Sequence, residues 1–222
     1  MGAAGEDGGH AGSGGGRVGG DSSKGARSGA AQRVADVVFE LVGKVPDSAE
    51  KVHADPLKRA RSIANRTAAK AALSAGSLSL PPGPLGWLTI LPELRTVWKQ
   101  QAQMVADIAA TFGKSDLLTR EEILYCLFRH IAPSAFRDVI SRVEDGYVVR
   151  AASPAALRAV AQKIGLRVTL RVLGRGVSRW VPVVGALGVG AYAYYDTGQV
   201  AGTAMSLFSK DIGIDSQAQP QA

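Results

Sequence analysis

Two side chains of this sequence stand where a nucleophile and its base could meet. Cys126 and His130 are four residues apart in the apolar run 123–131. On a helix such a pair shares a face. A thiolate beside an imidazole can attack an electrophilic carbon. The same residues also have a plainer use: a lone Cys in an apolar run packs as core, and a His at a helix end faces the C-terminal dipole. The chain offers no other reactive constellation. There is no Gly-x-Ser-x-Gly elbow, no His-Glu-x-x-His, no P-loop, and no pair of carboxylates on one obvious helical face. Ser13, between glycines near His10, lies in a segment too loose to hold a strained catalytic turn. Gly185, Gly188 and Gly190 follow no strand, so they are not a nucleotide fingerprint. One cysteine excludes an internal disulfide and a Cys-based zinc site. Three scattered histidines, His10, His53 and His130, point to no metal site, and no cofactor is expected.

Charge is more informative. The chain carries 26 Lys+Arg against 19 Asp+Glu, a formal net charge of +7 over 222 residues. In residues 1–31 the charges cancel, Glu6, Asp7 and Asp21 against Arg17, Lys24 and Arg27. No acid lies between Asp145 and Asp196, whereas Arg150, Arg158, Lys163, Arg167, Arg171, Arg175 and Arg179 all do. The remainder of the folded part therefore balances in sum. The last five cations recur every four residues, a helical stripe about 160° wide. Ile164, Val168, Val172, Leu166, Leu170 and Leu173 fill much of the rest of that basic amphipathic helix. Such a stripe is either a solvated face or the contact for an anionic partner, a membrane surface or a membrane protein. If all five cations met an anionic leaflet they would contribute up to about 5 kcal/mol. Nucleic acid would use the same stripe, but no nucleic-acid motif or aromatic stacking platform accompanies it, so it is not the expected partner.

Behind the stripe comes 180–195, without a charge, opened by Trp180. Asp196 is the only charged residue between Arg179 and Lys210. Ala186, Gly190, Gly198 and Gly202 fall on multiples of four, a spacing that lets helices approach closely. A membrane span needs about 20 apolar residues, and Pro182, Gly185 and Gly188 interrupt this one. The segment thus reads as a packed core helix, a shallowly inserted or membrane-docked element over 180–208, or a partner interface.

The elements that carry these residues are helical. Residues 1–31 contain 12 Gly and one large apolar residue, Val18, and are expected to be a disordered tail. They lack the charged and apolar regions of a signal peptide, so the expected setting is a reducing cytoplasm, at the inner face of the cytoplasmic membrane. Val34, Val37, Val38 and Leu41 predict a helix over 33–43. Asp55 and Pro56 open a second helix reaching Gly76, Ala-rich on one face and basic on the other with Lys58, Arg59, Arg61, Arg66 and Lys70. The prolines of 80–86 form a connector that cannot be helix interior. A third helix is predicted over 92–112, closed by Gly113, with Gln101 interrupting its apolar face as a core glutamine paired with backbone. Thr119 and Glu122 form a capping box before 123–131. A helix is predicted over 134–144, then a turn at Asp145-Gly146 and an extended piece at 147–149. Ser153-Pro154 starts the basic helix. No alternation of strands is visible, so the fold class is all-α: a multi-helix bundle over 32–210, with a further disordered tail over 211–222.

Several stretches resemble the EcsC protein family: Leu80-Pro-Pro-Gly-Pro-Leu-Gly-Trp-Leu-Thr-Ile-Leu-Pro92, Val97 to Gln103, Ile108 to Gly113, and Arg179-Trp180-Val-Pro-Val-Val-Gly-Ala-Leu-Gly190 with the following Ala191 to Asp196. The resemblance covers about 55–208. Many relatives have Tyr where this chain has Phe112, which removes one hydroxyl. The resemblance implies a bacterial, mainly helical protein. The founding member is encoded beside ABC-transporter subunits, which implies a membrane-associated accessory role, linked to a transporter or envelope process. Some members carry a protease label, for which this sequence holds no motif. The expectation is therefore a non-enzymatic accessory protein. The alternatives are a soluble helical adaptor for an acidic protein, or a hydrolase using Cys126 and His130.

Overall fold

A computed structural model describes residues 18–76, 86–143, 146–174 and 183–210. The chain is all-α, with six α-helices and one small hairpin among the described residues: α1 Val18–Leu41, α2 Pro56–Gly76, α3 Gly86–Thr111, α4 Arg120–Phe128, β1 Ile140–Val143, β2 Gly146–Val149, α5 Pro154–Gly174 and α6 Val183–Phe208. The connector over 80–86 lies outside the described residues except for Gly86, and so do the tails 1–17 and 211–222.

Local capping chemistry sets most helix ends where the sequence placed them. The Asp55 carboxylate accepts from the Lys58 N–H at 3.0 Å, ahead of Pro56. The Thr119 hydroxyl accepts from the Glu122 N–H while the Glu122 carboxylate accepts from the Thr119 N–H, completing the capping box. The Ser153 hydroxyl accepts from the Ala156 N–H at 3.2 Å. Gly113 turns the chain out of α3 at φ +72, a conformation that a Cβ resists.

Three expected elements differ. α1 begins at Val18, ahead of the start expected at residue 33; the turns that pack on the bundle are those from Val34 on. α3 begins at Gly86 and runs through Pro92. Leu91, Leu94 and Trp98 pack on the core from both sides of the proline, which offsets its missing N–H. The helix expected over 134–144 is absent: a 3₁₀ turn at Pro133–Phe136 leads into β1, which pairs antiparallel with β2 in the register Ile140↔Val149. The β-branched residues of 139–149 favour this hairpin, in which Gly146 is the first residue of β2, opposite Val143, rather than part of the expected turn.

The helices form two close pairs, α1 with α5 and α2 with α6, and α3 touches α1, α2, α4 and α6. α3 and α6 run parallel: Gln101 meets Asp196 near their middles, and the Lys114 ammonium reaches the Lys210 carbonyl at 2.6 Å beyond their ends. α2 starts beside the end of α3, where the His53 N–H donates to the Thr111 carbonyl at 3.2 Å, and runs back along it. The irregular stretch before α2 is clamped to α3. Gln103 donates to the Asp47 carbonyl at 2.8 Å and the Ser48 hydroxyl to Asp107 at 2.7 Å. Hydrogen bonds from the Arg59 guanidinium hold the Glu50 carboxyl below the usual carboxylate range. Between the pairs lies a core of Trp98, Met104, Ile108, Phe128, Phe136 and Ile164, with Trp98 and Phe128 edge to face.

α5 comes close to α1 at Gly165. A Cβ there would overlap the Ala31 carbonyl oxygen and stand 3.0 Å from the Ala35 nitrogen, so only hydrogen lets α5 lie against α1. Gly165→Ala is expected to cost about 1–3 kcal/mol, read as a Tm lowered by several degrees. Gly198→Ala, with nothing within 4 Å of the new methyl, should be neutral or stabilise by up to about 1 kcal/mol. Equal effects of the two substitutions would contradict this packing.

Candidate functional site

The polar residues that interrupt three apolar helix faces converge on one point. Asp196, on α6, is 6% exposed. Its Oδ1 lies 2.7 Å from Nε2 of His130, which follows α4. Its Oδ2 accepts from Nε2 of Gln101 on α3 at 2.8 Å. The Gln101 amide also reaches the Thr197 hydroxyl at 3.2 Å, and Gln101 and Thr197 are both fully buried. A carboxylate removed from water needs such partners, because the desolvation cost is several kcal/mol per ion. The partner of Gln101 is thus a pair of side chains on α6, not neighbouring backbone as the sequence reading had it.

A His–Asp pair can polarise a nucleophile, but this one does not meet one among the described residues. His130 Nδ1 is buried without a hydrogen-bond partner there. Cys126 is therefore not paired with His130, despite sharing its helical register. The thiol is wholly buried, and burial pushes its pKa far above the ordinary range, so it carries no thiolate at neutral pH. Among the described residues no three His, Cys, Asp or Glu side chains gather as a metal would require. The cluster ties α3, the end of α4 and α6 together.

The basic stripe lies elsewhere, on α5. Ile164 and Val168 are buried against the bundle. Lys163, Arg167 and Arg171 are exposed. Leu166 and Leu170 share that outer face, at 51% and 48% exposure, rather than joining the core. Lys163 lies 3.4 Å from the exposed Asp138. Arg167 and Arg171 have no ion pair among the described residues. Nearer the start of α5, the Arg158 guanidinium stacks 5.1 Å over the Phe39 ring. Arg175, Arg179 and Trp180 lie outside the described residues, as does the side chain of Ala186.

Of the small residues assigned to close packing, Gly190 is buried. Gly198 and Gly202 are not at a helix contact; they face outward with nothing within 4 Å of a Cβ position. The turn of α6 explains this: Asp196 and Thr197 must point inward to Gln101 and His130, which sends Tyr194, Tyr195, Gly198 and Gly202 to the outer face. Among the described residues no helix is long and apolar enough to cross a membrane.

Sequence reasoning missed the Asp196 cluster. The signal was present as three separate interruptions, Gln101, His130 and Asp196, each in an otherwise apolar face. It also missed Gly165, a glycine flanked by larger residues within a helix.

No family model matches the chain, and neither a curated protein nor a solved structure matches it.

Asp196→Ala strands His130 and Gln101 and is expected to cost about 1–3 kcal/mol in urea unfolding. The Asp196→Ala/His130→Ala double variant should cost less than the sum of the two single changes; additive costs would mean that the two side chains are not coupled. In the native protein the single thiol should resist a soluble alkylating reagent at pH 8 and react fully once unfolded. Rapid native labelling would show Cys126 to be accessible.

Proposed function

We propose that this chain is a non-enzymatic accessory protein that docks on an anionic membrane surface through the outer face of α5. The observation that carries this reading is the arrangement of that face. Lys163, Arg167 and Arg171 stand beside the exposed Leu166 and Leu170, and the helix contains no acidic residue. Leucines that gain nothing in water can enter the boundary between headgroups and acyl chains while the arginines meet phosphates. α6 remains in the bundle in this reading, since its insertion would break the Asp196 contacts or carry a carboxylate toward hydrocarbon. The resemblance to the EcsC family, with a founding member encoded beside transporter subunits, supports the accessory role.

Co-sedimentation with vesicles of phosphatidylglycerol and phosphatidylcholine tests the proposal. Binding is expected at low salt, weakening as salt rises. The Arg167→Gln/Arg171→Gln variant should bind about 30-fold more weakly, two charges at about 1 kcal/mol each. Leu166→Ser/Leu170→Ser should also weaken binding, which purely electrostatic attachment to an acidic protein would not require. Absence of binding at low salt, or equal binding to pure phosphatidylcholine, overturns the proposal.

A further inference from the structure

The α5 face is not the only acid-free basic face on the molecule. α2 holds Lys58, Arg59, Arg61, Arg66 and Lys70 and no Asp or Glu. Its Ala60, Ile63, Ala64, Ala68 and Ala71 are buried against the bundle. Arg59 turns aside to Glu50 at 2.7 Å. Lys58, Arg61, Arg66 and Lys70 are exposed and have no ion pair among the described residues. At 100° per residue these four cations spread over about 180° of the helix circumference, the half left free by the buried residues. Leu57 and Leu73, near the two ends of the helix, are exposed at 41% and 75%. Leu73 shares the cationic half of the helix, whereas Leu57 lies on the side of the buried alanines, at the first turn; the exposed acid next to this face is the N-cap Asp55.

The two faces lie at opposite ends of the packing order. α5 packs on α1 and on the 3₁₀ turn after α4. α1 in turn packs on α3, and α3 on α2, which also packs on α6. α2 and α5 share no substantial contact among the described residues. Each basic face is exposed on the side away from the helices that its own helix packs on, and the two faces belong to helices with different neighbours.

We infer that the outer face of α2 is a second docking surface for an anionic bilayer, and that the protein can bridge two such surfaces. The occupant is argued from charge complementarity: four cations without an ion pair among the described residues, with the exposed Leu73 among them, match a layer of phosphates over hydrocarbon. The inference rests on the membrane reading of α5 and extends it.

Vesicle clustering separates the two claims. Phosphatidylglycerol-containing vesicles are mixed with the full chain, and turbidity and particle size are followed alongside co-sedimentation. The expected result is binding with a several-fold rise in particle size at intermediate protein-to-lipid ratios, reversed by excess protein or by salt. The Lys58→Gln/Arg61→Gln/Arg66→Gln/Lys70→Gln variant alters exposed side chains only, and its helical circular dichroism should be unchanged. It should still sediment with vesicles through α5 but no longer cluster them. Wild-type binding without clustering overturns the bridging inference and leaves the α5 reading standing. Clustering that persists in the α2 variant also overturns it. So does a variant that loses affinity for a duplex DNA oligonucleotide while clustering vesicles normally, which would mark α2 as a nucleic-acid face. Failure of the wild type to bind vesicles at all overturns both claims.

Discussion

The fold depends on how one buried carboxylate is satisfied. Asp196 sits in a helix otherwise free of charge, and its two oxygens must both find donors once the helix leaves water. His130 and Gln101 supply them from α4 and α3. That requirement sets the rotation of α6 about its own axis and its register along α3. An apolar helix slides and turns at little cost; one with a single anion among fixed donors does not. The consequences reach the surface, where the same rotation exposes Tyr194, Tyr195, Gly198 and Gly202.

The other half of the bundle is set by contact rather than polarity. Gly165 brings the α5 backbone against α1, and Arg158 lies over Phe39 one and a half to two turns away. This seating buries Ile164 and Val168 and leaves the outward positions of α5 to arginine and leucine. The proposed docking face is therefore a product of the α1–α5 contact, which fixes which side of α5 meets solvent.

What the sequence made legible was local. Asp55, Gly113, Thr119 and Ser153 act on groups within a few residues of themselves, so their type and spacing are enough to place helix ends. The all-α class followed from the same periodicities. The Asp196 cluster joins residues 66 and 95 positions apart, and nothing in a window of one helix says which polar interruption answers which. The hairpin over 140–149 was missed because its first strand, Ile140–Val143, is also compatible with helical spacing, and the partner strand decides. The packed part of α1 was legible over 33–43 from Val34, Val37, Val38 and Leu41, while its packing on α5 is a long-range fact. The sum of charges outside 150–179 is balanced, and a sum does not say where the cations of α2 stand relative to the acids.

The central claim is that α5 meets the anionic surface while the Asp196 contacts keep α6 in the bundle. Amide hydrogen exchange with and without phosphatidylglycerol vesicles tests it most directly. The account predicts unchanged slow exchange over 193–208 and altered exchange confined to the basic faces, over 163–171 above all. Loss of protection in α6 on vesicle binding, with α5 unaffected, would contradict it.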